Sequence, residues 1–173
     1  CGAMVKDYGA LLASDPAYAA RAARIAALSR DLSEVVAAEL SRPGAVRPPR
    51  AATGRKVAFH APCTLQHALR LGGQVETMLA ALGLELTDVP DAHLCCGSAG
   101  TYSILQPELA HQLRERKLAA LESGAPQAIL TANIGCLGHL QSGCRLPVEH
   151  WIEAVDRLWP DGHRPDEPAH PAQ

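Results

Sequence analysis

The feature that most limits how this chain can fold is the order of its segments. From Lys56 to Leu158, short apolar runs of strand length alternate with stretches of helix length. Lys56–His60 reads as a strand, and Leu84–Val89 alternates apolar and polar residues as a strand does. Gln127–Ala132 is a third strand and Leu146–His150 a short fourth. Helical patterns fill the gaps. One runs from Thr64 to about Leu82 and is bent at Gly72-Gly73; another runs from Ser103 to Glu122 with Leu105, Leu109 and Leu113 on one face. A last one covers Trp151 to Leu158, and Asn133–Gly143 reads as a glycine-rich loop or short helix. This alternation predicts an α/β fold: a Rossmann-like parallel sheet of three or four strands with flanking helices.

A long amphipathic helix is expected before the sheet. Asp15-Pro16 is a strong helix start, and Ile25, Leu28, Leu32, Val35 and Val36 follow at steps that share one face as far as Leu40. Ser41–Gly44 stops the helix, and Val46–Gly54, with two prolines, reads as a linker. The expected division is therefore residues 1–50 as helix and linker and 51–160 as the main domain. Residues 161–173, rich in Pro, Asp and Glu, are expected to be a disordered tail.

Net charge of −2, a pI near 6.5 and only 3% aromatic residues argue against a nucleic-acid surface. No run of about 18 apolar residues is present, so no transmembrane segment is expected. No secretory leader is visible either, which sets the expectation of a reducing, cytoplasmic setting. There, clustered thiols more often bind metal or do redox chemistry than form structural disulfides.

The cysteines follow the strands. Cys63 lies just beyond the first predicted strand, Cys95-Cys96 beyond the second and Cys136 beyond the third. A parallel sheet would bring all of them to its carboxyl edge, where α/β proteins place ligands. Thiolates crowded there repel one another unless a cation holds them, and soft thiolates select zinc or iron–sulfur clusters. A vicinal Cys95–Cys96 disulfide would need a strained ring, and Cys144 reads as a small buried thiol. Gly97 and Gly100 fit a close backbone wrap around a cluster, with N–H groups donating to sulfide, and equally fit a tight turn. The Gly-Ser-Ala-Gly run lacks the glycine fingerprint of a phosphate cradle. His60, His67 and His93 flank the cysteines, as donors behind the ligands, proton carriers or solvated polar groups. Arg114-Glu-Arg-Lys117 reads as the solvated face of its helix.

Together these residues resemble the cysteine-rich CCG domain of heterodisulfide reductases and of the iron–sulfur subunits of glycolate, lactate and glycerol-3-phosphate oxidising complexes. The wording His60-Ala-Pro-Cys63-Thr, Cys95-Cys-Gly-Ser-Ala-Gly-Thr-Tyr102, Thr131-Ala-Asn-Ile-Gly-Cys136 and His150-Trp-Ile-Glu153 is similar to the glycolate oxidase group over about residues 55–158. The resemblance implies an iron–sulfur cluster, of the 4Fe–4S type, held by Cys63, Cys95, Cys96 and Cys136, with Gly97 and Gly100 wrapping it. His60 and His93 would stand behind the ligands. The family motif ends in Cys-x-x-Cys, whereas this chain ends it at His139, which makes His139 a candidate ligand. Cys1-Gly-Ala-Met4 resembles the end of a preceding module of the same kind.

The implied function is electron transfer in a flavin-linked 2-hydroxy-acid oxidase. An FAD-containing subunit and a further subunit would be the partners, a quinone the eventual acceptor, and no catalytic residue lies in this chain, which would be inactive alone. A peripheral position at the inner membrane face is compatible with that role. Two alternatives stay open: a zinc-binding docking module, and a thiol–disulfide oxidoreductase of the heterodisulfide reductase type.

Overall fold

A computed structural model describes residues 2–46, 48 and 54–159. They fall into two compact units, Cys1–Val46 with Cys63–Val75, and Arg47–Pro62 with Glu76–Gln173. The expected tail and most of the expected linker lie outside the described residues.

The first unit is helical. Helices α1 (Gly2–Leu11) and α2 (Ala19–Leu28) pack closely through small residues: a Cβ on Gly9 would meet Ala23 Cα and Ala26 Cβ at 3.4 Å. The expected single helix to Leu40 is divided. Helix α2 ends at Leu28, and α3 (Leu32–Leu40) starts afresh on Asp31. The cause is a capping box: the Asp31 carboxylate accepts the Ser33 N–H at 2.9 Å, and Glu34 accepts the Asp31 N–H at 2.7 Å. Asp15 does act as a cap, accepting the Ala17 N–H at 2.8 Å, but a turn intervenes before the helix proper. The apolar stripe of Ile25, Leu28, Leu32 and Val35 is exposed, and Ala22 and Ser33 are the buried residues of these helices. The Cys63–Val75 segment opens with a π-helix (Thr64–Ala68), and α4 (Gln74–Ala81) follows Gly72-Gly73.

The second unit is built on a four-stranded, all-parallel sheet of order β2-β1-β3-β4. Its strands are β1 (Lys56–His60), β2 (Glu85–Leu86), β3 (Ala128–Thr131) and β4 (Val148–His150). The α/β expectation holds, and β1 has the expected limits. The expected helix from Ser103 is split, because Pro107 starts a new one. Helix α5 (Tyr102–Leu105) precedes α6 (Pro107–Glu122), with α7 (Ile134–Gln141) and α8 (Trp151–Asp156) beyond.

Strand β1 is buried from Val57 to His60 and β3 along its whole length, and side chains alternate between the two faces. Ala58, Ile129 and Val148 pack with Leu118 and Leu121 of α6, Leu140 of α7, and with Cys96 and Cys136. Each fully buried aliphatic side chain in such a cluster contributes about 1.5–3 kcal/mol.

Helix α6 is rotated from expectation. Leu105 just before it and Leu109 within it are exposed, while Ala110, Lys117, Leu118 and Leu121 are buried. Lys117 therefore does not belong to a solvated face. It has no exposed surface, and its Nζ donates to the carbonyl oxygens of Ala92 at 2.8 Å and Asp91 at 3.4 Å. This ties α6 to the loop that leads into Cys95. The His150-Trp-Ile-Glu153 motif forms the start of α8. His150 Nδ1 accepts the Ile152 N–H at 3.4 Å, and Glu153 accepts the His150 N–H at 3.2 Å.

Candidate metal centre

Strand order places the site. Strands β1 and β3 are neighbours, with His60 in register with Thr131 at their carboxyl ends. In-register partners on parallel strands project to one face, so His60 and Thr131 follow Ala58 and Ile129 onto the face that packs against α6 and α7. Five residues past Thr131, Cys136 sits in the first turn of α7. Asn133 caps that turn, its Oδ1 accepting the N–H groups of Gly135 at 2.9 Å and Cys136 at 3.2 Å. Cys96 reaches the same place from the loop after β2.

One ligand-type atom from each of His60, Cys96 and Cys136 lies within 4.8 Å of the other two, and all three residues are buried. The Cys96 thiol is held far below its ordinary 9.0, at about 4. The Cys136 thiol bonded to its sulfur is the largest cause, while burial opposes the shift. The imidazole of His60 and the Ser98 backbone N–H add to the lowering. Cys96 is thus a thiolate at neutral pH, within a set of soft donors.

His60 is only 1% exposed, and neither ring nitrogen has a hydrogen bond of ordinary geometry; the Thr131 hydroxyl beside it is likewise unsatisfied. Each such buried group costs about 1–3 kcal/mol when left without a partner. Two thiol groups, an orphaned imidazole and an orphaned hydroxyl together fit a thiophilic cation, zinc or iron, better than a closed apolar core.

The other expected residues fall differently. Cys95 is half-buried, and its sulfur accepts the Gly97 N–H at 3.3 Å, outside the three-residue group. Gly97 has φ +88°, and a Cβ there would stand 2.3 Å from the Ala110 carbonyl oxygen of α6. Its lack of a side chain is what lets the loop lie on the helix. Gly100 also has positive φ, +60°, with open space around it. His139 is not drawn into the group: its Nε2 is 3.3 Å from the Ala110 carbonyl oxygen and its ring stacks on His111 at 6.3 Å. His93 is exposed. Cys63 belongs to the first unit, half-buried at the N-cap of the π-helix. Cys144 is half-buried, donates to the Glu122 carboxylate at 3.1 Å, and has its thiol pushed up by burial.

Residues 57–141 match the family described as CCG, a cysteine-rich domain. This segment is a CCG domain. Over 157 residues, 91% of its length, the chain is 53% identical to the glycolate oxidase iron-sulfur subunit of Escherichia coli K12, of which it spans 37%. It is 33% identical over 143 residues to lactate utilization protein A of Geobacillus thermodenitrificans and 30% over 141 residues to that of Bacillus licheniformis. In both cases the match covers 79% of this chain and 56% of the relative. The CCG match embraces β1 from Val57 onward, the Cys-Cys-Gly loop and all of α7, so every member of the buried donor group lies inside it.

Reading the sequence missed the burial of Lys117, although a signal was available. Lys117 stands seven residues after Ala110 and four before Leu121, on the apolar face of an ideal helix.

Proposed function

We propose that this chain is a cluster-bearing part of the iron–sulfur electron-transfer subunit of a flavin-linked 2-hydroxy-acid oxidase, with glycolate as the leading substrate. In this reading a separate FAD-containing subunit removes two electrons and two protons from the hydroxy acid, leaving the 2-oxo acid. The electrons then travel toward a quinone, with a further subunit completing the complex. The assembly would sit on the cytoplasmic side, and its contact with the membrane would be peripheral. Among the described residues no helix is long and apolar enough to cross a membrane.

The observation that carries the proposal is the buried His60, Cys96 and Cys136 group at the carboxyl edge of the sheet, in a chain 53% identical to a protein named as an iron–sulfur subunit. When bound, an iron–sulfur cluster of the 4Fe–4S type accepts and releases one electron at a time. Cys96 and Cys136 would be its anchors, with Cys95 supplying a further thiolate. Cys96 offers its sulfur as a thiolate, the form that binds metal. Gly97 keeps the loop backbone close enough to α6 to hold both cysteines in place. His139 would have to give up the Ala110 carbonyl to join as a ligand. His93, with its exposed position, would contribute at most from behind the ligands.

A zinc-binding docking module is the second reading, because two sulfurs and one imidazole nitrogen within 4.8 Å also suit a tetrahedral zinc site. Anaerobic purification followed by iron, sulfide and zinc analysis and EPR separates the two. Iron with matching sulfide and an EPR signal supports the proposal. One equivalent of zinc without iron would rule it out. A metal-free protein whose Cys96 and Cys136 titrate reversibly as a dithiol would favour thiol–disulfide chemistry instead.

A further inference from the structure

We infer that His60 is itself a ligand of the centre, binding the metal directly through an imidazole nitrogen beside the sulfurs of Cys96 and Cys136. The inference rests on the metal-centre reading above and assigns the third donor within it.

Three observations converge on His60. Its ring is buried to 1% exposure, and both nitrogens lack a hydrogen bond of ordinary geometry. A histidine serving as a proton carrier needs a path to water, which so deeply buried a ring lacks. Secondly, the imidazole nitrogen and both sulfurs are within 4.8 Å of one another. Donors around one tetrahedral ion with metal–sulfur bonds of about 2.3 Å and metal–nitrogen bonds of about 2.0–2.1 Å stand roughly 3.6–3.8 Å apart. Closing the group onto a single zinc or iron ion therefore asks for movements of about 1 Å or less, whereas an iron–sulfur cluster would give each donor an iron of its own and asks the group to open around it. Thirdly, His60 ends β1, an interior strand flanked by β2 and β3, so its backbone is fixed before any metal arrives. A ligand on a rigid strand end is held better than one on a loop.

His139 offers no comparable case. It lies on α7 with its Nε2 engaged by the Ala110 carbonyl and its ring against His111. The two histidines therefore make opposite predictions for a single experiment.

The test uses the whole chain, purified anaerobically, with and without 15N-labelled histidine. Pulsed EPR of a paramagnetic cluster state, or X-ray absorption at the edge of whichever metal is bound, reads whether nitrogen lies in the metal's first shell. The inference expects one directly bound histidine nitrogen in the wild type, unchanged in His139→Ala and absent in His60→Ala. It also expects His60→Ala to lose at least half of the bound metal, and His60→Cys to restore it with an all-sulfur shell. Far-UV circular dichroism establishes that each variant has folded. A wild-type shell without nitrogen refutes the inference by itself, and His139→Ala alone tells the two histidines apart, so a His60 variant that fails to fold does not block the test. Metal bound with no nitrogen in its shell, or a nitrogen signal that survives His60→Ala and vanishes in His139→Ala, overturns the inference and leaves the metal-centre reading standing. A folded chain that binds neither iron nor zinc removes that reading, and the inference with it.

Discussion

Replacing Gly97 by Ala tests how the cysteine loop is held. Two costs add at this position. The backbone φ of +88° lies in the left-handed region, where an L side chain costs about 1–2 kcal/mol. The new Cβ would also stand 2.3 Å from the Ala110 carbonyl oxygen, 3.1 Å from its carbon and 3.1 Å from Leu113 Cβ. Helix backbone cannot yield as a flexible side chain can, so loop and helix must separate by about 1 Å, an overpacking cost of roughly 1–3 kcal/mol. The total is about 2–5 kcal/mol, a large share of a domain's stability. Gly100→Ala is the control: its φ is +60° but nothing lies within 4 Å, so only the backbone cost of about 1–2 kcal/mol applies. Urea unfolding of both variants, followed by fluorescence and circular dichroism, gives the difference directly. If Gly97→Ala and Gly100→Ala unfold within about 0.5 kcal/mol of each other, close approach of loop to helix is not what Gly97 provides.

Lys117→Ala should destabilise the second unit by about 2–4 kcal/mol in urea unfolding, since it opens a cavity and strips donors from the Asp91 and Ala92 carbonyls. Asn133→Ala, which removes the cap of α7 and the acceptor for the Cys136 N–H, should cost about 1 kcal/mol and weaken metal retention in a chelator competition. In the first unit, the hydrogen bond from Lys6 and the Asp31 N–H hold the Glu34 carboxyl below 4.5. A lowered carboxylate contributes stability that is fully present above the unfolded value and is lost as pH falls through the lower folded value. Acid unfolding of Glu34→Gln should therefore show a flatter stability profile below about pH 5, by less than about 1 kcal/mol for so accessible a pair.

How much of this was legible depends on whether the governing forces are local. Strand β1 could be read directly, because its short apolar run is buried between two neighbours and is closed by Pro62. Placing cysteines after successive strands anticipated that Cys96 and Cys136 would meet, since strand order and the parallel rule fix the carboxyl edge. The break at Ser29–Asp31 was overlooked because the apolar spacing runs on through it. The reciprocal Asp31 and Glu34 bonds, a local signal, outweigh that periodicity. Helix α1 was not foreseen from its small and polar residues. The side of α6 that is buried depends on the loop it covers, so Leu109 stays in solvent while Lys117 is enclosed by carbonyls. The resemblance puts His60 behind the ligands; no periodicity reveals that its ring lies buried beside the sulfurs of Cys96 and Cys136.

The central claim is that the buried group at the ends of β1 and β3 holds the metal. It is tested most directly by metal-to-protein stoichiometry in the anaerobically purified chain, compared with the Cys96→Ala Cys136→Ala double variant. The account predicts stoichiometric metal in the former and at least a tenfold loss in the folded variant. Unchanged metal content after removal of both sulfurs would contradict it.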